Sequence, residues 1–154
     1  MRLDLGDYLP YLLNRAGTRI AVSFTAAVRQ HGITLPMWRT LAALHYDEGQ
    51  RMGELGRLTS IDVSTLTRIV DGLERRGLIE RRRSDSDARS VRVHLTAAGR
   101  SLTERIIPLA EHYETVALSG FSAEEAALLK AMLRRLHDNM DQLDETDLPL
   151  AKTG

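Results

Sequence analysis

Three observations predict a mainly α-helical fold with one small β-hairpin. Apolar residues recur at spacings of three and four along most of the 154-residue chain. The period falls to two only between residues 78 and 95. Cap and turn residues stand where the periodic segments begin and end.

Each element follows from its own residues. Residues 7 to about 30 carry Leu9, Leu13, Ala16, Ile20, Phe24 and Ala27 on one stripe, which predicts a long helix. Pro10 fits its first turn, and Gly32 fits the position after its last. Thr34 is the expected N-cap of the next helix, with Pro36 in its first turn. That helix runs to about Asp47, has Met37, Trp38, Leu41, Leu44 and His45 at inward positions, and stops before Gly49. Residues 52–59, MGELGRLT, form a short helix with Met52, Leu55 and Leu58 inward. Ser60 and Ile61 make a tight connection. Asp62 then caps a helix from Val63 to about Arg76, ended by Gly77. Its buried stripe is Val63, Leu66, Ile69, Val70 and Leu73. Ser64, Arg68, Asp71 and Arg75 lie opposite, flanked by Thr65 and Thr67.

Residues 78–83 and 91–95 read as two strands. Val91, Val93 and Leu95 face one side of the second strand, and Arg92 and His94 the other. Residues 84–90, SDSDARS, form a connection too long for a two-residue turn. Thr96 caps a helix from Ala97 to about Leu118, which Pro108 should kink or split. Ser122 and Glu125 form a capping box for a last helix to about Asp144. Its residues Leu129, Leu133, Leu136, Met140 and Leu143 make a heptad seam.

The charge is uneven. Net charge is zero, but residues 57–100 carry ten basic against six acidic groups, and residues 101–154 carry five against ten. Only Lys130 and Lys152 among the 21 basic residues are lysines. Arginine offers a fixed fork of donors for phosphates and guanine edges, so the middle third is where an anionic partner would bind. Biased codon usage accounts for the arginine excess equally well, but not for its clustering.

Helix, short helix, tight turn, helix and hairpin, in that order, make a winged helix-turn-helix. The expected fold class is mainly α with a small β-hairpin wing: a winged helix-turn-helix lobe over 34–96 plus N- and C-terminal dimerisation helices at 7–32 and 97–144. The apolar stripes at 9–27 and 129–143 are long for a single lobe of this size, and a second copy would bury them; an intramolecular helix pair is the alternative. Residues 1–144 are expected to form one domain, with 145–154 a flexible tail. Gly72, on the helix that would enter DNA, is expected to leave room for close backbone approach. Asp71 is expected to orient Arg68 or Arg75.

Other function classes lack their residues. With no cysteine there is no thiol nucleophile, thiolate zinc site or thiol redox sensor. The five histidines form no close ligand pair, so no metal is expected. No phosphate loop or supported Ser-His-Asp order appears, and neither catalysis nor a cofactor is expected. No signal peptide or membrane span is apparent, which makes a cytoplasmic protein the default.

The run STLTRIVDGLERRGLIERRRSDSDARSVRVHLTAAGR, from Ser64 to Arg100, resembles the signature of the MarR family of winged-helix transcriptional regulators. The matching pieces are LTRIVDGLERRGLIERR, the Asp-x-Arg of Asp87 and Arg89, and the junction VHLTAAG. The order of elements is similar over nearly the whole chain. The resemblance implies a homodimer with interdigitated terminal helices, reading a pseudo-palindromic operator in double-stranded DNA. It implies that Ser64, Thr65, Thr67 and Arg68 enter the major groove, with Arg75 on the same outer face. Arg89 would reach the minor groove, braced by Asp87, while Arg81 and Arg83 would lie on or beside phosphates. Arg82 faces away from those two.

The family commonly responds to small aromatic or phenolic acids bound between the dimer helices and the DNA-binding lobe, and repression is its more common mode. Arg15, Arg19, Trp38 and His45 are the candidates for such a pocket. Core packing is the plainer account of Trp38 and His45, and surface or interface ion pairing that of Arg15 and Arg19. An aromatic acyl-coenzyme A thioester is an alternative effector. A winged helix used only as a protein-interaction module is an alternative function.

Overall fold

Cap chemistry places the helix boundaries close to where the sequence predicts them. The computed structural model describes residues 3–84 and 87–142, with side chains described throughout these except at 84 and 87–89. Helix α1 spans Leu9–Arg29 with Pro10 in its first turn. Helix α2, Leu35–Tyr46, opens where the Thr34 hydroxyl accepts the Met37 N–H at 3.4 Å. Helix α3 is Met52–Thr59, and Ser60 then takes a left-handed conformation (φ 55°) to turn the chain sharply. Helix α4, Val63–Arg75, begins at Asp62 and ends before Gly77, whose positive φ (67°) reverses the chain into the hairpin.

Strands β1, Ile79–Ser84, and β2, Asp87–Leu95, pair antiparallel. Ile79, Arg81 and Arg83 oppose Leu95, Val93 and Val91, while Glu80 and Arg82 oppose His94 and Arg92. Pairing continues further than predicted. Ser84 pairs with Asp87, and residues 87–90 of the expected connection 84–90 belong to β2. The register shifts between Arg83 and Ser84, where Ala88, Arg89 and Ser90 form an irregular step in β2. A third segment joins the sheet through one bridge: the Val93 N–H donates to the Gln50 carbonyl at 2.8 Å.

Helix α5, Ala97–Ala117, runs unbroken through Pro108, so the expected split does not occur. Helix α6 covers Ala123–Asp141 behind the predicted box, in which Ser122 Oγ accepts the Glu125 N–H at 3.1 Å and the Glu125 carboxylate accepts the Ser122 N–H at 2.8 Å. Leu143 and the expected tail lie outside the described residues.

The chain divides into two compact units, Met1–Glu114 and Thr115–Gly154. The core belongs to the first. Val28, Leu41, Leu44, Leu55, Leu66, Val70, Leu73, Val93 and Ile106 are fully enclosed there. The wing is seated on the lobe by the apolar side of its pleat, Ile79, Val93 and Leu95. Three predicted inward residues are exposed: Leu58, Val63 and Val91. Val63 stands in the first turn of α4, beyond the edge of the packed stripe, and Val91 lies past the end of the seated part of the wing. On α3 the buried positions are Leu55, Gly56 and Thr59 rather than Leu58.

Candidate nucleic-acid interface

Helix α4 is amphipathic to the point of having two separate roles. Leu66, Val70 and Leu73 are wholly buried, while Ser64, Thr65, Thr67, Arg68 and Arg75 are exposed on the other side. Asp62 organises the N-terminal end. Its Oδ1 accepts the Ser64 hydroxyl at 2.6 Å and the Thr65 N–H at 2.9 Å. These two bonds, the Ser64 hydroxyl foremost, hold the Asp62 carboxyl well below the usual carboxylate range. The Thr67 hydroxyl donates to the Val63 carbonyl at 2.7 Å. Ser64 and Thr67 therefore present lone pairs outward, acceptors rather than the free donors their residue types suggest. Arg68 and Arg75 make no ion pair among the described residues.

Arg81 departs from expectation. The pleat puts it on the same face as Ile79 and Val93, the side turned to the lobe. Its Nη2 donates to Asp71 at 2.6 Å, its Nη1 donates to Glu74, and its backbone N–H donates to the other Glu74 oxygen at 3.1 Å. Burial alone would lower its pKa. Hydrogen bonds and charge from the two carboxylates outweigh that and raise it. Arg81 is thus committed to α4, where the expectation had it on or beside phosphates. Asp71 holds Arg81 rather than Arg68 or Arg75, which corrects the role expected for it. Gly72 also differs: a Cβ there would lie 3.5 Å from Met37 Cε of α2 and 4.0 Å from Arg75 Nη2, so the space beside it is already occupied by side chains.

Arg82, on the opposite face, pairs with Glu80, and Arg83 is exposed near the end of β1. The backbone of Asp87 and Arg89 lies in β2, but their side chains are outside the described residues, and so is the expected brace between them.

The segment before α3 grips the wing through residues that sequence patterning does not single out. The Arg51 Nε donates to Ser90 Oγ at 3.0 Å. Arg92 donates to the Gly49 carbonyl at 2.6 Å. Arg100, on α5, pairs with Glu48 at 2.6 Å. These contacts span 39 to 52 residues in sequence, and no local period announces them. The one available signal was the alternation that set Arg92 on the face away from the core. At the other end of the hairpin, Arg76 donates to the Gly32 carbonyl at 2.8 Å and ties α4 to the α1–α2 junction.

The four effector-pocket candidates do not meet within one chain. Arg15 and Arg19 line an open hollow of about 760 Å³ along α1 with Leu12, Asn14 and Val22. The Arg15 guanidinium also lies 5.7 Å from the Tyr11 ring centre, a cation–π contact. Trp38 stacks edge-on against Phe24 and borders a separate hollow of about 350 Å³ with Arg39, Ala42, Tyr46 and Leu58. His45 lies 3.9 Å from Glu104 of α5. Among the described residues no cluster of three or more histidines and carboxylates is arranged to hold a metal. No helix among them is long and apolar enough to cross a membrane.

Three comparisons bear on this arrangement. Residues 33–91 match the model of the MarR family. The HTH-type transcriptional repressor Rv2887 of Mycobacterium tuberculosis is 31% identical over 136 residues, covering 87% of this chain and 98% of the relative. A crystal structure of a MarR family transcriptional regulator from Silicibacter pomeroyi superposes with a TM-score of 0.83 at 31% identity, covering 94% of this chain and 99% of that one. BpsR of Bordetella bronchiseptica, whose DNA binding is regulated by 6-hydroxynicotinic acid, superposes with a TM-score of 0.75 at 27% identity, covering 84% and 98%.

Proposed function

The chain belongs to the MarR family of DNA-binding transcriptional regulators, and from that premise we propose that it is a homodimeric repressor, released from a pseudo-palindromic operator by a small aromatic or phenolic acid. The observation that carries the DNA-binding part is the outer face of α4. Hydroxyls at Ser64, Thr65 and Thr67 and the guanidiniums of Arg68 and Arg75, which make no ion pair among the described residues, are exposed on a helix whose other face is locked into the core. A helix presented in this way fits a major groove, and its N-terminal end carries the positive end of the dipole towards phosphate. Arg83 lies beside a phosphate, and Arg89 at the wing enters the minor groove with Asp87 holding its guanidinium.

Residues 34–96 serve as the reading lobe, and 7–32 and 97–144 as dimerisation helices. Exposed Leu9, Leu12, Ile20 and Val22 on α1, and Leu128, Met132, Leu133 and Met140 on α6, supply the apolar surface that a second copy would cover. The dimer spaces the two α4 helices by roughly one DNA turn, about 34–36 Å. The effector class is supported by BpsR, a relative that responds to a hydroxylated heteroaromatic acid, and by the cations Arg15 and Arg19 beside an open hollow. By linkage the acid weakens DNA binding only as far as it favours a lobe spacing that mismatches successive grooves.

The test is titration of the full chain onto a labelled duplex from its own promoter region. Arg68→Ala is expected to cost about 1–3 kcal/mol if it contacts a base edge, and Arg89→Ala to weaken binding and lower the salt slope as its charge leaves the minor groove. Unchanged affinity in both variants rejects this assignment of the interface. Adding 6-hydroxynicotinic acid, salicylate or their thioesters should raise the thermal midpoint and release the duplex for the class that fits. No response to any of them rejects the effector class.

A further inference from the structure

Asp71 occupies an awkward place for a DNA-reading helix. It follows Arg68 by three residues and precedes Arg75 by four, on the same outer face. Residues so spaced are neighbours on a helix surface, and carboxylate–arginine pairs at these spacings form readily. Left alone, Asp71 would draw one of the two arginines away from the groove and bring its own negative charge towards the phosphates. Glu74 is the last residue but one of the same helix, next to the wing.

Both carboxylates are instead occupied from outside the helix. Arg81 reaches across from β1 and donates to Asp71 through Nη2 at 2.6 Å and to Glu74 through Nη1 and its backbone N–H. Only about a quarter of its side chain (27%) is exposed, and it sits on the lobe-facing side of the hairpin. The planar guanidinium suits this two-carboxylate bridge, which a lysine could not make in the same geometry. Arg68 and Arg75 are left with no ion pair among the described residues.

We propose that Arg81 is a positioning residue for DNA recognition: by holding Asp71 and Glu74 it keeps Arg68 and Arg75 free to face the groove, and it docks the wing on the recognition helix in the same contact. This rests on the DNA-binding assignment made above for α4. The wing and α4 then form one rigid reading unit, with both carboxylates of α4 held by Arg81 and their charge halved inside it. Arg81 acts through the other two arginines and does not touch DNA itself.

The experiment compares the full chain, Arg81→Met, the triple variant Arg81→Met/Asp71→Asn/Glu74→Gln, and Arg68→Ala. Each is titrated onto the promoter-region duplex across a salt series, at a temperature where circular dichroism finds all four folded. Arg81→Met is expected to weaken binding by about tenfold or more, the scale of losing one good base or phosphate contact. It should also flatten the salt dependence by about 0.9, for the arginine captured by Asp71. The triple variant should regain both affinity and slope, because no carboxylate remains to capture Arg68 or Arg75. A purely structural defect would not restore the slope. Wild-type binding by Arg81→Met overturns the proposal. So does a triple variant no better than Arg81→Met, which would make Arg81 a direct DNA contact. If Arg68→Ala binds like wild type, it is the assignment of α4 as the reading helix that fails.

Discussion

Gly99 has no room for a side chain: a Cβ there would lie 1.8 Å from the Leu78 carbonyl oxygen. The reason is a knot of backbone contacts where the wing returns to the lobe. The Thr96 N–H donates to Leu78 O at 3.1 Å, the Thr96 hydroxyl donates to Gly77 O at 2.7 Å, and the same hydroxyl accepts the Gly99 N–H at 3.0 Å. The first turn of α5 is therefore pressed directly on the start of β1. Gly99→Ala is expected to destabilise by about 3 kcal/mol or more, since the colliding atom is backbone and cannot rotate away. Gly72 offers the contrast. A methyl group there meets only flexible side-chain ends at ordinary contact distance, Met37 Cε at 3.5 Å and Arg75 Nη2 at 4.0 Å. Gly72→Ala should stabilise by about 0.5–1 kcal/mol through helix propensity alone and leave DNA affinity unchanged. Denaturant unfolding of the two variants separates these outcomes; an alanine at 72 that abolished DNA binding would place that position in the groove after all.

The helix α4 carries its own pH dependence. The Asp62 carboxyl is held below its ordinary value by the Ser64 hydroxyl and the Thr65 N–H. A depressed folded-state pKa means stability that is present above the unfolded value, about 3.9 for an aspartate, and is lost as pH falls through the folded one. Asp62→Asn keeps a capping group but cannot titrate. Wild type should melt higher than this variant near neutrality, and the gap should close as pH drops below about 4. A gap that stays constant into acid would mean the charge on Asp62 contributes nothing to the cap. The hairpin shows a different kind of element-scale control. Its pleat assigns Arg81 inward and Arg82 outward before any contact is made, and that parity decides which arginine can reach α4.

For the molecule as a whole, the exposed apolar side chains matter most. Within the single chain Leu9, Ile20 and Val22 of α1 stand in solvent, as do Leu128 and Met140 of α6. Helices with such faces ordinarily bury them, and the proposed dimer provides the means. If folding and dimerisation are coupled, the thermal midpoint should rise with protein concentration by mass action. Ile20→Arg should lower the midpoint and produce monomer on sedimentation. A midpoint independent of concentration over about two decades, with Ile20→Arg still sedimenting like wild type, would remove α1 from the interface.

Much of this architecture was legible locally. Helix boundaries followed from Thr34, Asp62, Ser122 and the glycines after α1 and α4, because caps and left-handed turns are satisfied within three or four residues. The polar outer face of α4 was legible for the same reason, since a period of 3.6 needs no partner to be seen. The extent of the hairpin was not, because SDSDARS is turn-forming by composition and the ladder overrode it. Nor was the fate of individual charges. Asp71 lies within reach of Arg68 and Arg75 along its own helix, but Arg81, ten residues on and across a chain reversal, is the residue that takes it. Arg51, Arg92 and Arg100 found their partners across 39 to 52 residues. The sequence by itself determined the elements, their order, the family they resemble and the polar outer face of α4, since these depend on short-range periodicity and capping. Only the tertiary structure decided which charges on α4 are held from outside the helix. That depends on distances across the fold, where ionic hydrogen bonds form between whichever groups the packing of the core brings within about 3 Å.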